Sequence, residues 1–140
     1  MNLQARIRAF TELGEYLKTD IYKEEAEQLR KAEVLNPWFT KENIASALSA
    51  WQEQLSADML TAWLNPYKIK EVSNPKKVLI IMAGNIPLVG FHDFLSVLIS
   101  GHKVVVKMSS TDNVLLKVLI EKLISIAPEF KDSISFIDEV

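Results

Sequence analysis

The chain has 140 residues, 49% of them apolar and 24% charged, with a net charge of −2 at pH 7. That is enough length and apolar content for one packed core, and there is no basic excess of the kind nucleic-acid-binding domains carry. It contains no cysteine, which excludes disulfides, cysteine-ligated zinc and a thiol nucleophile within these residues.

The first 66 residues read as helices. Leu3, Ile7, Phe10, Leu13 and Leu17 recur at helical spacing. Arg6 and Arg8 fall inside that pattern, so the polar N-terminus does not read as a signal peptide. A charged helical segment from Tyr22 to Leu35 stops before Asn36-Pro37, and its Glu24-Glu25 pair reads as solvated surface. Thr40 is the expected N-cap of a helix carrying Ile44, Leu48, Trp51 and Leu55 on one stripe. Ser56 is the expected cap of a short helix with Met59, Leu60 and Trp63, ended by Asn65-Pro66. The tryptophans read as packing residues. From Tyr67 to Lys77 apolar and polar residues alternate and lead into Ser-Asn-Pro, which suggests a short exposed strand. Lys76-Lys77 reads as the solvated edge of a loop.

Residues 67–140 change rhythm. A strand at 77–82 leads to a helix at 87–100, with Pro87 in its first turn and Gly101 just past its end. A second strand spans Lys103 to Lys107. A helix over 112–126 follows, with Thr111 or Ser110 as cap, and a third strand runs from Ser133 to Ile137. This is β-α-β-α-β, and continuous apolar strands with helical crossovers argue for a parallel sheet with right-handed connections. The apolar window at 78–100 is broken by Asn85, Pro87, His92 and Asp93, so no membrane span is expected. A cytosolic location is the default.

Two stretches carry chemistry. In Met82-Ala83-Gly84-Asn85-Ile86-Pro87 the chain leaves the carboxyl end of a strand, where ligands of open α/β sheets bind. Gly84 allows a tight turn or a close approach to the backbone. The Asn85 amide is a donor of the type that stabilises an oxyanion, or an ordinary turn and N-cap residue. In the second stretch, Lys107 ends the next strand, and its ammonium can reach ribose hydroxyls or a phosphate. Ser109 and Ser110 add hydroxyls and N–H groups at a helix start, or simply cap it. No G-x-G-x-x-G occurs, which also counts against a flavodoxin-like alternative.

Together the two stretches form the order strand, Asn-x-Pro, apolar helix, Gly-x-x-Val-Val-x-Lys, serine-containing helix start. This resembles the cofactor-binding domain of the aldehyde dehydrogenase superfamily. The string GNIPLVGFHDFLSVLISGHKVVVKMSS is more similar to the acyl-CoA reductases of the bacterial bioluminescence (LuxC) type, most closely over residues 78–117. The resemblance implies reduction of an acyl thioester, delivered by CoA or a carrier, to an aldehyde through a cysteine acyl-enzyme. It implies Asn85 at the oxyanion, a cofactor lying near Met82, Ala83 and Gly84, Lys107 on the adenosine ribose, and a homo-oligomer. Common members of the superfamily have proline and glutamate where this chain has Met108 and Ser110. A glutamate there repels a 2′-phosphate and a serine does not, so NADPH is expected, with NADH also possible. His92 is either a general acid or CoA contact, or a polar interruption of a buried helix; His102 is expected in an exposed turn.

The absent cysteine and the sheet ending at Val140 lead to the expectation of a catalytically inert N-terminal fragment with an unpaired sheet edge. The competing expectation is a non-enzymatic protein-binding module with a degenerate nucleotide fold, which exposed aromatics among Trp38, Phe39, Trp51 and Trp63 would favour.

Overall fold

The computed structural model describes residues 1–140. Five helices come first: α1 (Leu3–Tyr16), α2 (Asp20–Glu24), α3 (Ala26–Leu35), α4 (Lys41–Gln54) and α5 (Ala57–Leu64). The charged second segment is thus two helices, separated at Glu25. Thr40 caps α4, its Oγ1 accepting from the Asn43 N–H at 3.1 Å, and Ser56 caps α5 through the Met59 N–H at 3.4 Å. Then come β1 (Lys77–Ile81), α6 (Phe91–Ile99), β2 (Lys103–Lys107), α7 (Leu115–Ile126), a 3₁₀ turn at Pro128–Ser133 and β3 (Ile134–Phe136). The three strands are parallel in the order β1-β2-β3, with Val78 opposite Val104 and Val104 opposite Ile134.

One apolar core runs through both halves. Helix α1 is its hub and packs against α4, α5, α6 and α7. Phe10, Leu13 and Leu17 are buried, Phe10 meeting Phe130 edge-on at 5.6 Å. Phe91 is buried against Trp51 at 4.7 Å. No helix is long and apolar enough to cross a membrane.

The expected strand over 67–77 is not formed. After a 3₁₀ turn at Asn65–Tyr67 the chain runs as irregular backbone across the start of α1. There Glu71 accepts the Leu3 N–H at 2.9 Å and lies 3.6 Å from the buried Arg6 guanidinium. Arg6 also donates to the Ile99 carbonyl at 2.9 Å, at the end of α6. The tether to α1 holds this segment off the sheet. Its apolar-polar alternation places Ile69 and Val72 half-buried without a strand partner.

Gly101 takes the role expected of it. Its φ is +90°, its N–H donates to Leu98 and the His102 N–H to Val97, which closes α6 with a Schellman motif. The start of α6 differs from expectation. The helix begins at Phe91, not 87, and Pro87 lies in a preceding turn. The cause is Leu88, held at φ +62°, a left-handed conformation that no helix can incorporate. Helix α7 begins at Leu115 without a side-chain cap, so neither Thr111 nor Ser110 caps it. Both belong to an irregular loop in which Ser109 bridges Asp112.

Candidate functional site

Two loops leave the carboxyl ends of adjacent strands, residues 82–90 after β1 and 108–114 after β2. They are stitched together by side chains. Met82 prolongs the ladder by donating its N–H to the Lys107 carbonyl at 3.0 Å. The Gly84 carbonyl accepts from Asn36 Nδ2 at 2.9 Å, and the same amide donates to the Thr111 carbonyl at 3.2 Å. The Leu88 N–H donates to Asp112 Oδ2 at 3.2 Å.

Gly84 serves an approach different from the one the sequence suggested. A Cβ there would overlap the hydroxyls of Ser109 and Thr111, so the close neighbour is the second loop. The Ser109 hydroxyl lies 3.0 Å from that of Thr111 and accepts the Thr111 N–H at 3.2 Å. Ser109 thus spends its hydroxyl largely on shaping its own loop.

Met82, Lys107, Ser109 and Ser110 line one groove of about 520 Å³ at the carboxyl ends of the strands. Its other walls include Asn113, Lys117 and Asp138. Lys107 is half-buried and Ser110 exposed. Ala83, Gly84 and Asn85 do not line this groove; Ala83 and Asn85 are exposed on the adjoining turn. The side chain of Asn85 does not cap α6, whose first turn has no side-chain cap bond, so the N-cap alternative for this residue is not realised.

His92 is exposed at the start of α6, its ring 5.6 Å from Trp63 and 6.3 Å from Trp51. These three side chains, with Met59, Leu60 and Leu95, line a separate apolar concavity of about 230 Å³. His102 is half-buried, and its Nδ1 accepts the Lys76 N–H at 3.2 Å at the entry to the sheet. A groove of about 410 Å³ among α2, α3 and α4 contains none of the residues the sequence marked for chemistry.

Three polar residues of this region escaped the sequence reading. Asn36 looked like a helix stop, yet it is buried and ties both loops to the helical half. Asp112 fell at the expected first residue of a helix. It is buried, and desolvation pushes its carboxyl up to about 6 against the relief given by the Leu88 N–H. Lys117, on the first turn of α7, adds a second ammonium to the groove. No local signal marks Asn36 or Asp112, because the partners their side chains bind across the two loops are 24 to 75 residues away.

Two lysines and two serines offer cationic and hydroxyl contacts to an oxygen-rich anionic ligand, and Asp138 is the one carboxylate on the groove wall. Neither curated proteins nor solved structures give a match to this sequence. A family model described as acyl-CoA reductase (LuxC) matches residues 8–139, nearly the whole chain, and the chain therefore belongs to the LuxC acyl-CoA reductase family.

Proposed function

We propose that this chain forms the cofactor-facing N-terminal part of an acyl-CoA reductase that converts an acyl thioester to an aldehyde with NADPH in the cytoplasm. The observation that carries the reading is the coincidence of the family match with a groove lined by Lys107, Ser109 and Ser110 beside the Asn85 turn. A bound reduced nicotinamide dinucleotide would supply the hydride.

Within this chain, Lys107 binds the adenosine ribose or its phosphates, and Ser110 accommodates the 2′-phosphate. Backbone at Met82, Ala83 and Gly84 bounds the dinucleotide on the β1 side. Asn85 donates its amide N–H to the carbonyl oxygen as negative charge develops there, which lowers the barrier most where water is excluded. The attacking thiolate must come from outside these residues, since the chain has no cysteine. The 140 residues alone are accordingly inert, and a homo-oligomer of the whole enzyme is expected.

The test is acyl-CoA-dependent NADPH oxidation by the enzyme that carries this chain together with its cysteine. Asn85→Ala is expected to lower kcat by about 100- to 1000-fold, as loss of one oxyanion donor does, while NADPH affinity is retained. Ser110→Glu is expected to weaken NADPH relative to NADH. Tighter binding of NAD+ than of NADP+, unaffected by Ser110→Glu, would refute the cofactor assignment.

The reading of a non-catalytic binding module has one observation in its favour. Trp38 is 75% exposed beside exposed Val34 and Leu35. Phe39 is buried and Trp51 and Trp63 are half-buried in the core margin, so of these four aromatics only Trp38 is exposed. Absence of any nicotinamide-nucleotide affinity in the enzyme would promote this second reading.

A further inference from the structure

Asp112 has no part in the scheme above, yet two unfavourable features converge on it. Its side chain is 6% exposed, and Oδ1 has no hydrogen-bond partner. A buried carboxylate with an unmatched oxygen is costly, as its raised proton affinity records. Its one side-chain bond is accepted by Oδ2 from the N–H of Leu88, a buried leucine held at φ +62°. That backbone conformation is strained for a non-glycine residue, because Cβ approaches the following carbonyl oxygen. Such strain persists only where the surroundings impose it.

The placement of this bond matters more than its strength. The turn that carries Asn85 is pinned at both ends. Asn36 holds the Gly84 carbonyl on one side, and Asp112 holds the Leu88 N–H on the other. Asn85, Ile86 and Pro87 span the gap between the two pins. Asp112 is itself fastened to the groove loop, its N–H donating to the Ser109 carbonyl at 3.4 Å. The bond therefore links the Asn85 turn to the loop bearing Lys107, Ser109 and Ser110.

We propose that Asp112 is a positioning residue which, through the Leu88 N–H, fixes the Asn85 turn against the cofactor loop and so sets where the Asn85 amide points. The proposal rests on the assignment of Asn85 as the oxyanion donor. Asp112 contacts no reacting atom in this scheme, and its effect passes entirely through the turn.

The test is a double-mutant cycle with Asn85 in the cysteine-bearing enzyme, read as kcat for acyl-CoA reduction and as NADPH affinity. Asp112→Ala is expected to lower kcat by about 10- to 100-fold, the scale of a small misplacement near a reacting centre, with NADPH affinity unchanged. Asp112→Asn keeps an oxygen that accepts the Leu88 N–H and is expected to restore kcat. With Asn85 already alanine, loss of Asp112 should lower kcat no further. Unchanged kcat in Asp112→Ala overturns the proposal, and so does a full additional loss in the Asn85→Ala background. If Asn85→Ala itself has no effect, the oxyanion assignment fails instead, so the two failures are separable. Where Asp112→Ala does not fold, amide hydrogen exchange of the wild-type chain and of Asp112→Asn decides. Slow exchange at Leu88 in both, with kcat preserved in Asp112→Asn, supports the clamp; fast exchange at Leu88 in the folded wild type overturns it.

Discussion

The two faces of the small sheet are unequally covered: one carries Val78, Ile80, Val104, Val106 and Ile134, the other Leu79, Ile81 and Val105 among Lys77, Lys103, Lys107 and Ser135. Ile80, Val104 and Val106 point to the face on which α6 packs and are 8%, 1% and 0% exposed. Leu79 and Ile81, their neighbours on β1, are 43% and 64% exposed on the opposite face. The apolar run Val78 to Ile81 gives no hint of this asymmetry, because strands of a parallel sheet are apolar on both sides. The difference teaches that a continuous apolar run in one strand does not by itself say how many faces are covered. How many the chain covers by itself depends on its helices, and these cover one.

The contrast can be attacked from the covered side first. Val106→Asp places a carboxylate in the centre of the buried face. It is expected to cost more than about 4 kcal/mol and leave the chain unfolded by circular dichroism, since nothing nearby can pair with it. A folded Val106→Asp chain would mean that this face is wet and the comparison void.

The buried carboxylate of the loop clamp sharpens the same point through pH. Burial raises Asp112 from 3.8 to about 6, so the folded chain holds this proton more tightly than the unfolded one. The group's favourable contribution is fully present below pH 3.8 and is lost as pH rises through about 6. Urea titrations of wild type and Asp112→Asn at pH 4 and pH 7.5 should show wild type losing stability relative to the variant at the higher pH. The reverse trend would mean a carboxylate stabilised by a partner.

Gly84→Ala drives a methyl group into the Ser109 and Thr111 hydroxyls and should cost about 1–3 kcal/mol, read as a lower urea midpoint. The smallest effect belongs to the bare face. Ile81→Ser is expected to change stability by no more than about 0.5 kcal/mol, with self-association reduced. A large loss from Ile81→Ser would show that the exposed face is covered in solution.

Much of this architecture was legible in the sequence. The strand Lys103–Lys107, the caps Thr40 and Ser56, the closing glycine at 101 and the parallel order of the sheet all follow from local signals: a β-branched run, a hydroxyl before a periodic helix, a glycine after one. The errors share a cause. Pro87 is a sound first residue for a helix, but Leu88 is bent into the left-handed region beside a carboxylate 24 residues away. Residues 67–77 alternate like a strand, but Glu71 is claimed by Leu3 and Arg6. Asn36 carries a turn signal locally and a clamp role only in three dimensions. Lys107, Ser109 and Ser110 could be placed at the end of a strand from the sequence, and all three line the groove there. The shaping of their loop by Asn36, Thr111 and Asp112 depends on contacts that no local pattern encodes.

The central claim is that the groove at the carboxyl ends of β2 and β3, bounded by Met82 on the β1 side, takes NADPH. It is tested most directly by titrating the ¹⁵N-labelled chain with NADPH and with NADH and following amide shifts. The account predicts shifts concentrated at Met82 and from Lys107 to Ser110, larger for NADPH and diminished by Ser110→Glu. Shifts confined to the groove among α2, α3 and α4, or equal responses to both nucleotides that Ser110→Glu leaves untouched, would contradict it.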